Sequence, residues 1–233
     1  MRGGIRQESN MLIRDRAEAG QLLASKLKQY SKRADVIILA LPRGGVPVAY
    51  QVAKTLDLPL DIFLVRKLGV PGQEELAMGA IASTGVRVLN QDIIEALQIP
   101  ESIIDAVSAK EEHELERREK FYRQDAPPID VTNKTVILID DGLATGATMR
   151  AAAQVLKQQK VPSIVIAVPV AAESTCRELS QLVDEMICVL TPEPFYGVGY
   201  WYDDFSQTSD SEVIELLRKA RGITAENVWR STQ

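Results

Sequence analysis

Two adjacent carboxylates, Asp140 and Asp141, end an apolar run and lead straight into Gly142-Leu143-Ala144-Thr145-Gly146-Ala147-Thr148. Small residues in such a turn let backbone N–H groups approach an anion closely, and a helix opening at its end adds unpaired donors and partial positive charge. The hydroxyls of Thr145 and Thr148 are further donors, so the segment suits a phosphate monoester. The two carboxylates would repel that phosphate. They must face something else: vicinal sugar hydroxyls, a metal, or developing positive charge. Taken alone, an acidic pair before Gly is commonly a solvated turn, and a Thr before a helix is commonly only a cap. The combination of strand, acidic pair, small-residue loop and helix is far more specific. No G-x-x-x-x-G-K-[ST] and no G-x-G-x-x-G is present, which excludes a triphosphate P-loop and a dinucleotide fingerprint.

Three further groups are candidates. Arg43-Gly44-Gly45 follows another apolar run, and a cation before Gly-Gly can donate to an anion from side chain and backbone. As a lone motif it would be a plain tight turn; its place at a strand end favours anion binding. Arg66 and Lys67 are expected at the end of the second strand, where cations could neutralise a charged leaving group. Leu68 to Ala77, rich in Gly, Pro and charge, is expected to be a mobile loop. Pro192 to Ser211 gathers Phe195, Tyr196, Tyr200, Trp201, Tyr202 and Phe205 in a chain that is only 5% aromatic, so this segment is either a packed flap or a stacking surface. His113, the sole histidine, is read as a surface residue.

These groups need a frame. Asp35–Leu41, Leu60–Val65, Thr135–Ile139, Ser163–Val168 and Glu185–Leu190 are short apolar runs, the pattern of strands buried on both faces. Met78–Ser83 and Val86–Leu89 are weaker strand candidates. Helices are expected over Asp15–Lys28, Val46–Leu56, Thr148–Gln159 and Ser174–Leu182. The alternation predicts an α/β fold, a parallel sheet with helices on both faces, with ligands at the carboxyl ends of its strands. From Asp92 to Arg123 the chain is helical and charged, with Glu114–Arg118, Glu116–Lys120 and Glu119–Arg123 at i,i+4, and reads as a solvated helix. We take residues 91–128 as a helical insertion, 191–211 as a hood, and 1–233 as one domain.

The 233 residues suffice to bury a core without staples. The net charge, 27 basic against 32 acidic groups or −5, argues against an extended nucleic-acid surface. No apolar run is long enough for a membrane span, and Met1 to Asn10 lacks the apolar core of a signal peptide. Cys176 and Cys188, without a wider cysteine framework, are expected to be free thiols of a reducing compartment, which places the protein in the cytoplasm.

The segment from Val136 to Ala152 resembles the signature of type I phosphoribosyltransferases, which bind 5-phosphoribosyl-1-diphosphate (PRPP). The resemblance implies that Asp140 and Asp141 hold the ribose hydroxyls, and touch magnesium only through PRPP or water. It implies that Leu143, Ala144, Thr145, Gly146, Ala147 and Thr148 wrap the 5′-phosphate; Ala147 replaces a glycine that many members carry. Arg43, Gly44 and Gly45, with Arg66 and Lys67, would grip the pyrophosphate, and Asp140, Asp141, Arg43 and Lys67 would form the catalytic set. Val198-Gly199-Tyr200 and Asp203-Asp204-Phe205 resemble the hood of the purine-using branch, so Val168, Tyr200, Trp201 and Phe205 are expected around a nitrogenous acceptor. Purine enzymes of this kind carry a lysine near the Val168 position, so 6-oxopurines are expected to be poor acceptors. The resemblance is compatible with a homodimer, and also with a regulator that senses PRPP without turning it over.

Overall fold

The computed structural model describes residues 12–124 and 126–231, with side chains through 222. Met1 to Asn10 lies outside the described residues. Five apolar runs become β1 (Val36–Ala40), β2 (Leu60–Ile62), β6 (Thr135–Ile139), β7 (Ser163–Val170) and β8 (Glu185–Leu190), all parallel, in the order β2-β1-β6-β7-β8. Side chains alternate across this sheet. Ile38, Ala40, Ile137, Ile139, Val165 and Ala167 join one core with α1 (Arg16–Lys26), α2 (Gly45–Leu56) and α7 (Asp210–Ser231). Ile37, Leu39, Val136, Leu138, Ile164, Ile166 and Val168 join the other with α5 (Ala147–Gln158) and α6 (Glu173–Ser180). Both faces are therefore covered, as the unbroken apolar runs require.

The second expected strand does not continue as one piece. It ends at Ile62, and Val65–Val70 becomes β3 of a separate antiparallel sheet with β4 (Gln73–Ala82) and β5 (Arg87–Leu89). Leu68 to Ala77 is thus a paired hairpin and not an open loop, with Leu68 opposite Gly79 and a positive-φ turn at Gly72. Sequence reasoning missed it because the polar side chains of Gln73, Glu74 and Glu75 lie on exposed strand positions. Arg66 and Lys67 accordingly sit on this hairpin, off the parallel sheet.

Residues 91–123 form α3 (Gln91–Ala96) and α4 (Glu101–Arg123). The expectation of a merely solvated helix needs correction, because Ile104, Leu115, Tyr122 and Arg123 are buried. The Arg123 Nε–H lies 3.1 Å from both oxygens of buried Asp61 on β2, and NH2 donates to Ile62 O at 3.0 Å. Asp61 also accepts from Ile129 N at 3.1 Å, so the chain after α4 is tied to the same carboxylate. Cys176 on α6 and Cys188 on β8 form a disulfide, correcting the expectation of free thiols. The helix-to-strand return brings together two residues whose partnership their spacing does not reveal. Among the described residues no helix is long and apolar enough to cross a membrane.

Candidate PRPP site

Asp140 and Asp141 follow the last residue of β6, at the carboxyl edge of the sheet. Asp140 Oδ1 accepts the Asp141 N–H at 2.8 Å, which orients the first carboxyl. Desolvation, then the neighbouring Asp141 charge, pushes Asp140 well above the usual carboxylate range. Desolvation also raises Asp141, opposed by a guanidinium described below. The Gly-Gly after Arg43 is required here. A Cβ on Gly44 would overlap Asp141 Oδ2, and one on Gly45 would press on Ile139 O and Asp140 Cα.

The following loop divides into a tether and a cradle. Leu143 is buried; its N–H donates to Val170 O at 2.9 Å and its carbonyl accepts from Ala172 N at 3.2 Å. With its amide spent on the sheet, Leu143 anchors the loop and has no N–H left to offer an anion. Ala144, Thr145, Ala147 and Thr148 are exposed. Gly146 supplies the left-handed turn at φ 67° that starts α5, and no side chain caps that helix. Its first N–H groups thus face the loop, a ready anion site. Thr175 of α6 fastens the cradle through its hydroxyl, 2.6 Å from Ala144 O.

Val168, expected at the acceptor, is fully buried among the side chains under α5 and α6. β7 runs two residues further than its sequence pattern indicated, so Val170 and Ala171 stand at the strand end beside Leu143.

The hood is built from both ends of the described chain. Ile13 N donates to Trp201 O and Asp203 N to Ile13 O, each at 2.9 Å, and Asp204 N donates to Arg14 O at 2.8 Å. Tyr202 is buried, and its hydroxyl donates to Asp141 O at 2.7 Å. Tyr196 and Tyr200 are exposed with ring centroids 5.0 Å apart, and Trp201 packs edge-on to Tyr200 at 5.5 Å. The Trp201 indole N–H is buried without a partner among the described residues.

Arg16, in the first turn of α1, escaped sequence reasoning. Its Nε and NH2 hold Asp141 Oδ2 at 2.9 and 2.8 Å, NH1 donates to Ser206 O at 2.6 Å, and its guanidinium lies 4.2 Å from the Phe205 ring centre. No local signal joins positions 125 residues apart; only a search for a cation to balance two adjacent aspartates could have raised the question.

The other cations are dispersed. Arg43 follows a cis peptide at Pro42–Arg43 and pairs at 3.6 Å with Asp210, which also accepts from the Tyr122 hydroxyl at 2.6 Å. These residues line a cavity of about 320 Å³ with Arg117 and Arg118. Arg66 pairs with Glu111 of α4, and Lys67 with Glu75 at 3.2 Å. Lys67 also lines a cavity of about 760 Å³ between the hairpin and α5, together with Ala80, Leu89, Asn90, Ala147 and Thr148.

A carboxylate pair, a glycine pair packed against it and an unfilled helix N-terminus now share one sheet edge. The phosphoribosyl transferase domain profile matches residues 13–203, which hold all of them. The chain belongs to the phosphoribosyl transferase domain family. Its fold, a five-stranded parallel sheet with helices, is that of the type I phosphoribosyltransferases. A Mycobacterium tuberculosis H37Rv protein, named provisionally as a phosphoribosyl transferase, is 45% identical over 215 residues, covering 92% of this chain and 48% of its own. The chain thus spans about half the length of the curated relatives it matches. The Chloroflexus aurantiacus bifunctional protein PyrR is 34% identical over 112 residues, 47% of this chain and 56% of its own. Among solved structures, TT1426 of Thermus thermophilus is similar with a TM-score of 0.81 and 38% identity, covering 90% of this chain and 99% of that one.

Proposed function

We propose that this phosphoribosyl transferase domain binds Mg-PRPP and transfers its 5-phosphoribosyl group to a nitrogenous acceptor, releasing pyrophosphate. The observation carrying this reading is the continuity of Asp140-Asp141 with the exposed turn Ala144–Thr148 that opens α5. A 5′-phosphate on the turn sets the ribose diol toward the carboxylates. The C1–O bond to pyrophosphate then breaks with its electron pair leaving on oxygen, and the acceptor nitrogen forms the new C1–N bond with its lone pair, its proton passing to solvent. Fixed negative charge beside the sugar favours the cationic character that develops at C1. The exposed Tyr200 ring offers the acceptor a stacking face.

Magnesium fits this site as a companion of the substrate: among the described residues no cluster of three His, Cys, Asp or Glu could hold it, whereas diphosphate oxygens suit a hard cation, with Asp140 and Asp141 reached through water. When bound it neutralises diphosphate charge. Arg43, with the Gly44 amide, and Lys67 serve the same group once their carboxylate partners Asp210 and Glu75 yield, while the Gly45 amide is held by Leu41 O at 3.1 Å.

A second reading, a PRPP sensor without turnover, is favoured by the partial similarity to a protein named bifunctional and by those carboxylate-held cations. Two measurements test both. Mg-PRPP should bind in calorimetry, and the Asp140→Asn/Asp141→Asn double variant should weaken it by about 10-fold or more, some 1.4 kcal/mol. Pyrophosphate release across a panel of nitrogenous bases should then identify an acceptor; binding with no release for any base would favour the sensor. Unchanged binding in the double variant would rule out this loop as the ribose site.

A further inference from the structure

We propose that Arg16 is a positioning residue of the PRPP site, fixing Asp141 for the ribose and bolting the hood to it, so that occupancy of the ribose site is felt at the acceptor side. The inference rests on the reading of Asp140 and Asp141 as ribose ligands. Arg16 does not serve its own helix. A cation in the first turn opposes the helix dipole, and α1 is already capped by the Asp15 carboxylate on Glu18 N at 2.8 Å.

Its side chain turns into the site, where it and Asp141 are 12% and 15% exposed, against 43% and 56% for the surface pair Arg33–Asp35. All three guanidinium nitrogens are used: two on Asp141 Oδ2, one on Ser206 O, while the plane covers Phe205. Both bonds to Asp141 fall on Oδ2, which fixes the orientation of this carboxylate for a sugar hydroxyl. Tyr202, in ring contact with Phe205 at 5.0 Å, bonds the backbone of the same aspartate. One side chain therefore joins α1, the end of β6 and two points of the hood. A lysine cannot reproduce this, since its donors radiate from one atom and it has no plane to lay on a ring.

The test compares wild type, Arg16→Gln, Arg16→Lys and the Asp140→Asn/Asp141→Asn double variant. Mg-PRPP affinity is read by calorimetry, folding by urea titration, and hydrogen exchange over 198–205 with and without Mg-PRPP. We expect R16Q to bind about 10-fold more weakly and R16K to fall between it and wild type. Mg-PRPP should slow exchange in the hood of wild type, and leave it unchanged in R16Q even while residues 144–148 respond. Affinities within about 2-fold of wild type in both Arg16 variants, or a hood that still responds in R16Q, would reduce Arg16 to a structural role whatever the loss in stability. Should R16Q not fold, R16K decides by the same two readouts. If the double aspartate variant binds normally, the ribose reading itself fails; if only the Arg16 variants bind normally, the positioning role fails alone.

Discussion

At the level of single residues, burial and the Asp141 charge both resist ionisation of Asp140. Its folded-state pKa is raised, so the folded protein binds more protons there than the unfolded chain does, and stability at this site falls as pH rises through and above the unfolded value near 3.9. Asparagine retains an acceptor for the Asp141 N–H and carries no charge. Asp140→Asn should therefore raise the melting temperature at about pH 7.5, and the gain should vanish below about pH 4, where both forms are neutral. Thermal scans across that range check the sign; a variant less stable than wild type at neutral pH would contradict it. Gly44 offers the complementary case. A methyl group there meets Asp141 Oδ2, so Gly44→Ala should lose at least about 10-fold in PRPP affinity with the sheet intact, measurable by calorimetry beside circular dichroism.

At the level of elements, α4 is fastened to the sheet edge by a buried ion pair. Removing the guanidinium of Arg123 strands the Asp61 carboxylate in the core, a change that costs about 3–5 kcal/mol, whereas replacing both partners with apolar residues of similar volume is often neutral. Arg123→Met should lower stability by that amount in urea titrations, and Arg123→Met/Asp61→Leu should recover most of it. The β3–β4 hairpin has a different task. Its ladder from Val65 to Leu68 against Gly79 to Ala82 is already paired, so these amides should exchange slowly without ligand. The tip around Pro71-Gly72 is the part free to respond. Mg-PRPP should slow exchange there only if the hairpin closes over the site, and indifference of the tip while residues 144–148 respond would remove the lid role.

At the level of the molecule, the acceptor region closes only where distant segments meet. β7 delivers Val170, not a cation, to the edge, and no Lys or Arg lies between Ser163 and Cys176. A 6-oxo group brought there lacks a partner from this strand, which costs about 1–3 kcal/mol. Hypoxanthine, guanine and xanthine should accordingly be poor acceptors in steady-state assays, well below about 10⁴ M⁻¹s⁻¹ in kcat/KM. The correction from Val168 to Val170 leaves this expectation in place, because neither residue can donate.

The sheet was legible because strands covered on both faces must be apolar throughout, and five such runs stand out from Asp35 to Leu190. The cradle was legible because adjacent carboxylates and a small-residue turn are contiguous in the chain. What the tertiary structure decided lies where contiguity ends. The hairpin hid behind exposed Glu74 and Glu75, since a strand position facing solvent carries no apolar signature. Arg123 read as one of many helix charges until Asp61 was set against it, 62 residues away. The surroundings of Leu143 and Val168 were not legible either: a parallel neighbour claims the amide of one, and the core on one face of the sheet takes the side chain of the other. Arg16 reaches Asp141 across 125 positions, and no propensity or period encodes such a pairing; packing α1 beside β7 and closing the hood on Tyr202 brings it within 3 Å.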